Sequence, residues 1–454
     1  MDNVEKNGGF SSIFTKSLLI AGIVFSVCAL LSSYQNAKLF ITSDWKVAGL
    51  TVVALVLILA VAYILAYSLT QKQFLFFLLA LAAGLRLAWV LHIHTPPVSD
   101  FLDMRNAGVA AAKGDFSIAH NDYFSRWVYL LGFSMYEGLI YKIFGDSLLI
   151  LKLFNILFNV GTAIVVYFAA SKALNEFCGR VSSLLYAVYV PNIVMCSVLT
   201  NQHLSTLLFA LGCLLIVHDG FKRKFSWFWI GTLFAAGNMI RPLGLFFLIG
   251  AVVYAVTCKL FPARKESKLP IFMKTAGMVA VYWILMQMIS LAFQWSGVTS
   301  YAFKSQEPYW KIMVGLNPQT VGGWSQEDTD YAMRYKLGKD RNDAELRLIR
   351  ERLKDKSQVA NLLVQKFKVM WGGEDSAVMW SLWEQNRPHL ARLLTQTEKI
   401  MYTALTVFAL LAMASMLVQN RHPDCDLFLL LLLGYAAVHL VFEIQTRYRF
   451  DILP

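Results

Sequence analysis

Charge is scarce in this chain. Asp, Glu, Lys and Arg make up 15% of its 454 residues, against roughly 25% in a soluble domain. That shortage argues against an ordinary soluble fold. Cysteine is sparse too: Cys28, Cys178, Cys196, Cys213, Cys258 and Cys425 are scattered, and none has C-x-x-C spacing. Neither a disulfide framework nor a zinc site is supported. No small-residue cleavage pattern follows the first apolar run, so that run is expected to remain as a span. No internal repeat is visible.

Apolar residues are abundant, at 57%, and they gather into runs near the ~20 residues needed to cross a bilayer. Eleven candidate spans fall at about 14–34, 48–67, 74–93, 150–170, 181–198, 203–218, 227–241, 243–258, 273–293, 399–417 and 427–444. Spanning backbone must satisfy its own hydrogen bonds, so runs of this length read as helices. The expected fold is an all-α polytopic membrane protein of about 11 transmembrane helices.

The net charge of +12 would suggest nucleic acid as partner of a soluble protein. Here the basic residues sit in short loops: Lys172 and Arg180; Lys222, Arg223 and Lys224; Lys259, Arg264, Lys265 and Lys268; and Arg421. They act as an orientation signal. No nucleic-acid partner is expected. With those loops cytoplasmic, the N-terminus is inside, the C-terminus is outside, and two long segments, about 94–149 and 294–398, both face outward. Three units follow: 1–293 as a transmembrane module carrying the first segment, 294–398 as a membrane-associated outer segment, and 399–454 as terminal spans and tail. Both outer segments should carry amphipathic helices, with Trp and Tyr at the headgroup layer.

The first outer segment opens on His92-Ile-His-Thr-Pro96-Pro97-Val-Ser99-Asp100-Phe-Leu-Asp103. Two prolines stop the preceding helix. A helix restarting near Ser99 puts Asp100 and Asp103 on one face, with Ser99 or Asp100 as cap. A carboxylate there is either a cap or a general base for a hydroxyl. The two together are the only metal ligands proposed, and Mg²⁺ or Mn²⁺ would need further oxygens.

Arginines in or beside apolar runs must snorkel, pair or bind an anion. Arg86, inside the third span, and Arg241, in Asn238-Met-Ile-Arg241-Pro242, are such residues. A guanidinium also suits a phosphoryl oxygen pair. The tail Glu443-Ile-Gln445-Thr-Arg447-Tyr448-Arg449 offers a cationic lip, with Glu443 and Arg447 spaced to pair along a helix. Arg126, Tyr136, Glu137, Asn201 and His203 are secondary candidates for substrate contact. Gly322-Gly-Trp324-Ser-Gln-Glu-Asp328 combines backbone donors, an aromatic face and carboxylates, a mix that suits a sugar as well as a plain turn. Gly372-Gly-Glu374-Asp375 is a similar stretch.

Taken together, Pro97-Val-Ser-Asp100-Phe, Phe144-Gly-Asp-Ser147, Arg241-Pro242 and Glu443-Ile-Gln-Thr-Arg447-Tyr448, with Pro454 last, resemble the GT-C superfamily of membrane glycosyltransferases. The likeness is to its bacterial branch, related to protein O-mannosyltransferases and aminoarabinose transferases. It covers nearly the whole chain in layout. It implies a bacterial cell-membrane enzyme taking a sugar from a polyprenyl-phosphate donor. The acceptor would be a cell-envelope glycan, lipid or protein on the extracytoplasmic face. The superfamily's acidic residue in the first outer loop maps onto Asp100, while Asp103 has no firm equivalent. Arg241 and Arg447 would meet the lipid phosphate. The acidic cluster of metal-requiring relatives and the large soluble C-terminal domain of some others are missing, which leaves metal use and acceptor open. A flippase for lipid-linked sugars would share the spans and arginines, but repeat symmetry is expected of it. A polysaccharide polymerase or ligase is the other rival.

Overall fold

A computed structural model describes residues 2–41, 44–219, 221, 223–263, 265–419 and 425–452. Lys222, Arg264, Arg421 and Pro454, on which the loop-charge and terminal readings drew, lie outside these residues. The chain is 80% helical. Among the described residues there is no strand, only an isolated bridge between Trp127 and Ser305.

The helices, in chain order, are α1 (Asp2–Phe40), α2 (Asp44–Ser68), α3 (Gln71–His92), α4 (Asp100–Ala112), α5 (Asp122–Arg126), α6 (Leu131–Phe144), α7 (Leu148–Ala173), α8 (Glu176–Val188), α9 (Val190–Val194) and α10 (Gln202–Asp219). They continue as α11 (Ser226–Ile240), α12 (Gly244–Tyr254), α13 (Lys265–Trp295), α14 (Trp310–Gly315), α15 (Gln326–Met333), α16 (Lys339–Arg352), α17 (Lys356–Gly372), α18 (Ala377–Ser381), α19 (Pro388–Val418) and α20 (Asp426–Val441). The protein is therefore an all-α, multi-pass membrane protein.

All eleven apolar runs fall on helices, but not all are full spans. Six described helices are long and apolar enough to cross a membrane, or seven if the pair α8–α9, bent by 57°, counts as one. Runs at α10, α12 and α20 are shorter. The stretch 181–198, read as one span, breaks at Tyr189 ahead of Pro191, which stands in the first turn of α9. Proline removes a backbone donor and cannot continue the preceding helix.

Local chemistry sets the ends that matter for the site. Thr70 and Gln73 form a reciprocal capping box at the start of α3. The far end of α3 gives way to the Pro96-Pro97 loop. Segment 94–149 carries α4, α5 and α6, and segment 294–398 carries α14 to α18. Helices associate in lipid through close packing of small residues. At the α4–α6 crossing, a Cβ on Gly108 would sit 2.9 Å from the Ser134 carbonyl oxygen, and one on Gly138 would sit 2.9 Å from that of Gly108. Only glycine permits that approach, and it fixes α4 on α6. Helix α1 packs along α19 and α17. The ends of α1, α3 and α20 therefore converge on one region, where the start of α4, the α17–α18 connection and the C-terminal tail meet.

Candidate active site

That region encloses a cavity of about 930 Å³, at the upper end of the size usual for a ligand pocket. Its lining includes Ser99, Asp100, Trp324, Glu374, Trp380, Thr446 and Arg447.

Asp100 opens α4. The loop before it is clamped: Thr95 donates to the Ser381 carbonyl at 2.5 Å, and the Lys152 ammonium donates to the Thr95 carbonyl at 2.9 Å. Ser99 caps α4 by position but makes no side-chain cap bond. It sits at φ 51°, ψ −139°, with Phe101 N donating to Val98 O at 3.1 Å. This is the first central position of a type II′ turn, a place that favours glycine. The turn directs the Asp100 carboxylate into the cavity, where Oδ1 accepts from the Tyr123 hydroxyl at 2.9 Å. Asp103 stands one turn on, exposed and outside the cavity lining. Partial desolvation, then the Asp100 charge, raise its carboxyl above the usual range.

Arg447 comes from the opposite end of the chain. Its guanidinium lies over three rings: Trp380 at 4.9 Å, Phe101 at 5.0 Å and Tyr448 at 5.8 Å. Phe101 and Trp380 meet edge-on at 5.3 Å. Nε donates to Gln445 at 2.7 Å, and no ion pair among the described residues uses this side chain. A cation held by rings keeps its charge uncancelled and its terminal nitrogens aimed by packing. The tail is laced to the α17–α18 connection: Arg447 N donates to Ser376 Oγ at 3.2 Å, and Ser376 N to Thr446 Oγ1 at 3.0 Å.

Arg241, expected to meet phosphate, is instead paired. Its Nε and Nη2 donate to Asp451 Oδ2 at 3.1 and 2.8 Å, and Nη1 donates to Asn201 Oδ1 at 3.0 Å. Its guanidinium lies over the Tyr448 ring at 5.3 Å, so Tyr448 carries two arginines, Arg241 and Arg447. Arg241, Asn201 and Tyr448 support the wall behind Arg447. The Glu443–Arg447 helical pair does not form, because α20 ends at Val441 and the tail turns away. Glu443 pairs with Lys311 of α14 and accepts from Gln445 at 3.0 Å.

The remaining sequence candidates lie elsewhere. Arg86 is fully buried and spends its donors on Asn159 (2.6 Å) and the carbonyls of Ala82, Ala187 and Tyr186. His203 contacts the Met195 carbonyl at 3.0 Å. Arg126 is clasped by Glu307 at 2.9 Å, which also takes Arg341 at 2.5 Å. Tyr136 and Glu137 sit on α6, away from the cavity. Glu137 is fully buried and neither of its oxygens has a partner. Burial, only partly opposed by the Arg105 charge, pushes its carboxyl well above the usual range. Of the Gly322–Asp328 stretch only Trp324 lines the cavity, half-exposed. Ser325 caps α15, and Asp328 pairs with Arg352 at 2.6 Å.

Sequence reasoning missed Tyr123 and Trp380, which give no local signal, and the lysine ties at the start of the tail. Lys366 is buried and donates to the carbonyls of Gly315 (2.6 Å) and Phe442 (2.8 Å). Burial lowers its ammonium to about 7 despite the nearby Glu443 charge. Asp103 is not among the residues lining the cavity, and among the described residues no three His, Cys, Asp or Glu side chains group as metal ligands.

Asp100 and Arg447, the latter in no ion pair among the described residues, thus share one cavity. Residues 132–293, from α6 through α13, match the family model described as dolichyl-phosphate-mannose-protein mannosyltransferase. Over that part of its length the chain is similar to a family of membrane glycosyltransferases. Asp100 and Arg447 lie outside the matched segment. No curated protein and no solved structure matches.

Proposed function

We propose that this protein transfers a sugar from a polyprenyl-phosphate donor to an acceptor hydroxyl, with inversion at the sugar carbon. The observation that carries the reading is the shared cavity: Asp100 and Arg447 both line it, with the Phe101 ring packed under the guanidinium. The family match supports a lipid-linked sugar donor and a glycan or protein acceptor.

The donor keeps its tail in lipid and its phosphate at Arg447. The acceptor oxygen attacks the anomeric carbon opposite the phosphate, and a carbon–oxygen bond forms as the bond to the phosphate oxygen breaks. Asp100 takes the hydroxyl proton, which requires hydrogen-bond reach. The phosphate leaves with the bonding electron pair, and Arg447 stabilises the charge that develops on it. Tyr123 holds one oxygen of Asp100 and leaves the other for the acceptor. One displacement needs one base and no covalent sugar–enzyme intermediate.

The reading extends to a bacterial cell membrane, with the N-terminus cytoplasmic, the cavity facing outward, and a cell-envelope glycan, lipid or protein as acceptor. The test is Asp100→Asn. Transfer from polyprenyl-phosphate sugars should fall to background, while melting temperature and binding of the donor lipid stay close to those of the unsubstituted protein. Full activity in that variant would overturn the assignment.

A further inference from the structure

Arg447 and Asp100 account for the phosphate and the proton, but not for how the sugar itself is read. A separate part of the cavity wall is suited to that task. It is built where α1 meets the α17–α18 connection. Helix α1 is apolar along most of its length, yet Ser32, Gln35 and Asn36 all line the cavity. Their spacing puts them on one helix face. Polar side chains on a membrane helix turn toward a cavity rather than lipid.

Glu374 completes this wall. It is exposed to the cavity, and its one hydrogen bond among the described residues comes from Asn36 Nδ2 at 3.2 Å. No ion pair among those residues includes it. An ionised carboxylate accepts at about four lone-pair positions, so most of its capacity is open. The backbone beneath is held fast. A Cβ on Gly372 would sit 2.4 Å from the Ser32 Cβ, so α17 ends in direct contact with α1. Glu374 is also tied to the phosphate side. Ser376, two residues on, exchanges hydrogen bonds with Thr446 and Arg447. Two residues of chain span about 7 Å at most, and Glu374 and Arg447 line the same cavity, so Glu374 is within the space open to a ring attached to a phosphate at Arg447.

We propose that Glu374 and Asn36 form the sugar subsite of the cavity and determine donor specificity by accepting and donating hydrogen bonds to vicinal hydroxyls of the donor's ring. The inference rests on the lipid-donor reading above. A carboxylate beside a diol accepts hydrogen bonds from two hydroxyls in parallel, and the Asn36 amide sets its orientation. Such a subsite discriminates between epimers, because a hydroxyl turned the wrong way leaves the carboxylate short of a donor.

The experiment is a binding comparison that does not depend on turnover. Purified protein is titrated with a polyprenyl-phosphate sugar drawn from a panel of epimers, and with bare polyprenyl phosphate. The unsubstituted protein should bind one glycosylated lipid about tenfold more tightly than the bare lipid, the size expected of one or two charge-assisted hydrogen bonds. Glu374→Ala should lose that preference and Glu374→Gln should keep part of it, with bare-lipid affinity unchanged in both. Asn36→Ala, followed by its own melting curve, provides a second variant should Glu374→Ala fold poorly. An unchanged preference among sugars in Glu374→Ala and Asn36→Ala overturns the subsite. Protein that shows the preference but never transfers the sugar overturns the transferase reading and leaves the subsite standing.

Discussion

A guanidinium clasped by Phe101, Trp380 and Tyr448 differs in consequence from one clasped by a carboxylate. The rings supply packing and a modest attraction, about 2 kcal/mol when water is excluded, and leave the positive charge available to a ligand. Arg241, against the same Tyr448 ring, has its charge cancelled by Asp451. The sequence presents the two arginines alike, beside apolar runs, and nothing local separates them. At the same scale Glu137 makes a pH prediction. Its raised carboxyl means the folded protein holds that proton more tightly than the unfolded chain. The resulting stability is complete below the unfolded carboxyl's value, about 4.3, and is lost as pH rises through the folded value. Glu137→Gln should therefore melt with a smaller pH dependence between pH 4 and 8, and at a higher temperature than the unsubstituted protein at pH 8. Thermal unfolding in detergent across that range is the measurement.

Among the elements, α4 is the one whose start matters most. The double proline ends α3's run, and the type II′ turn at Ser99 restarts the chain with Asp100 at its first helical position. Non-glycine residues at positive φ are held there by surrounding structure at a cost of about 1–3 kcal/mol. Ser99→Gly should fold at least as stably and retain transfer, whereas Ser99→Val should lose activity more than stability as the turn re-forms and Asp100 swings away. Circular dichroism and a transfer assay on the two variants separate these outcomes. The existence of α4 and its two carboxylates was legible in the sequence, because a proline break followed by Ser99-Asp100 is local information. The fate of the Gly322–Asp328 stretch was not. Ser325 and Asp328 are taken up by α15's cap and by Arg352, and that depends on α16 folding back across it.

On the scale of the whole molecule, the C-terminal tail serves as a strap. It runs from α20 past Lys311 and Lys366, laces to Ser376, and ends with Asp451 gripping Arg241 and Gln202. Removing Arg241 leaves Asp451 buried without its partner, a change that typically costs 3–5 kcal/mol, roughly. Arg241→Ala should therefore destabilise the protein by about that much and also weaken donor binding, since Arg447 loses the Tyr448 backing. Exchanging both partners for apolar residues of similar size should recover most of the stability. A double-mutant cycle on unfolding free energy tests this directly.

The sequence by itself determined the class of molecule. Apolar runs of bilayer length must be helices because lipid offers no partner for backbone groups, and a proline break that ends in a carboxylate is written locally. Those facts sufficed for an all-α membrane protein, and with the short motifs of the resemblance they made Asp100, Trp324 and Arg447 candidates. The tertiary structure alone decided which candidates share a cavity and which arginine is free. It also revealed the partners Tyr123 and Trp380, and it placed Glu374 of the Gly372–Asp375 stretch in the same cavity. The physical reason is distance along the chain. A buried charge takes whichever partner the packing of remote helix ends brings within a few ångströms, and residues 100, 241, 374, 447 and 451 are neighbours only once that packing exists.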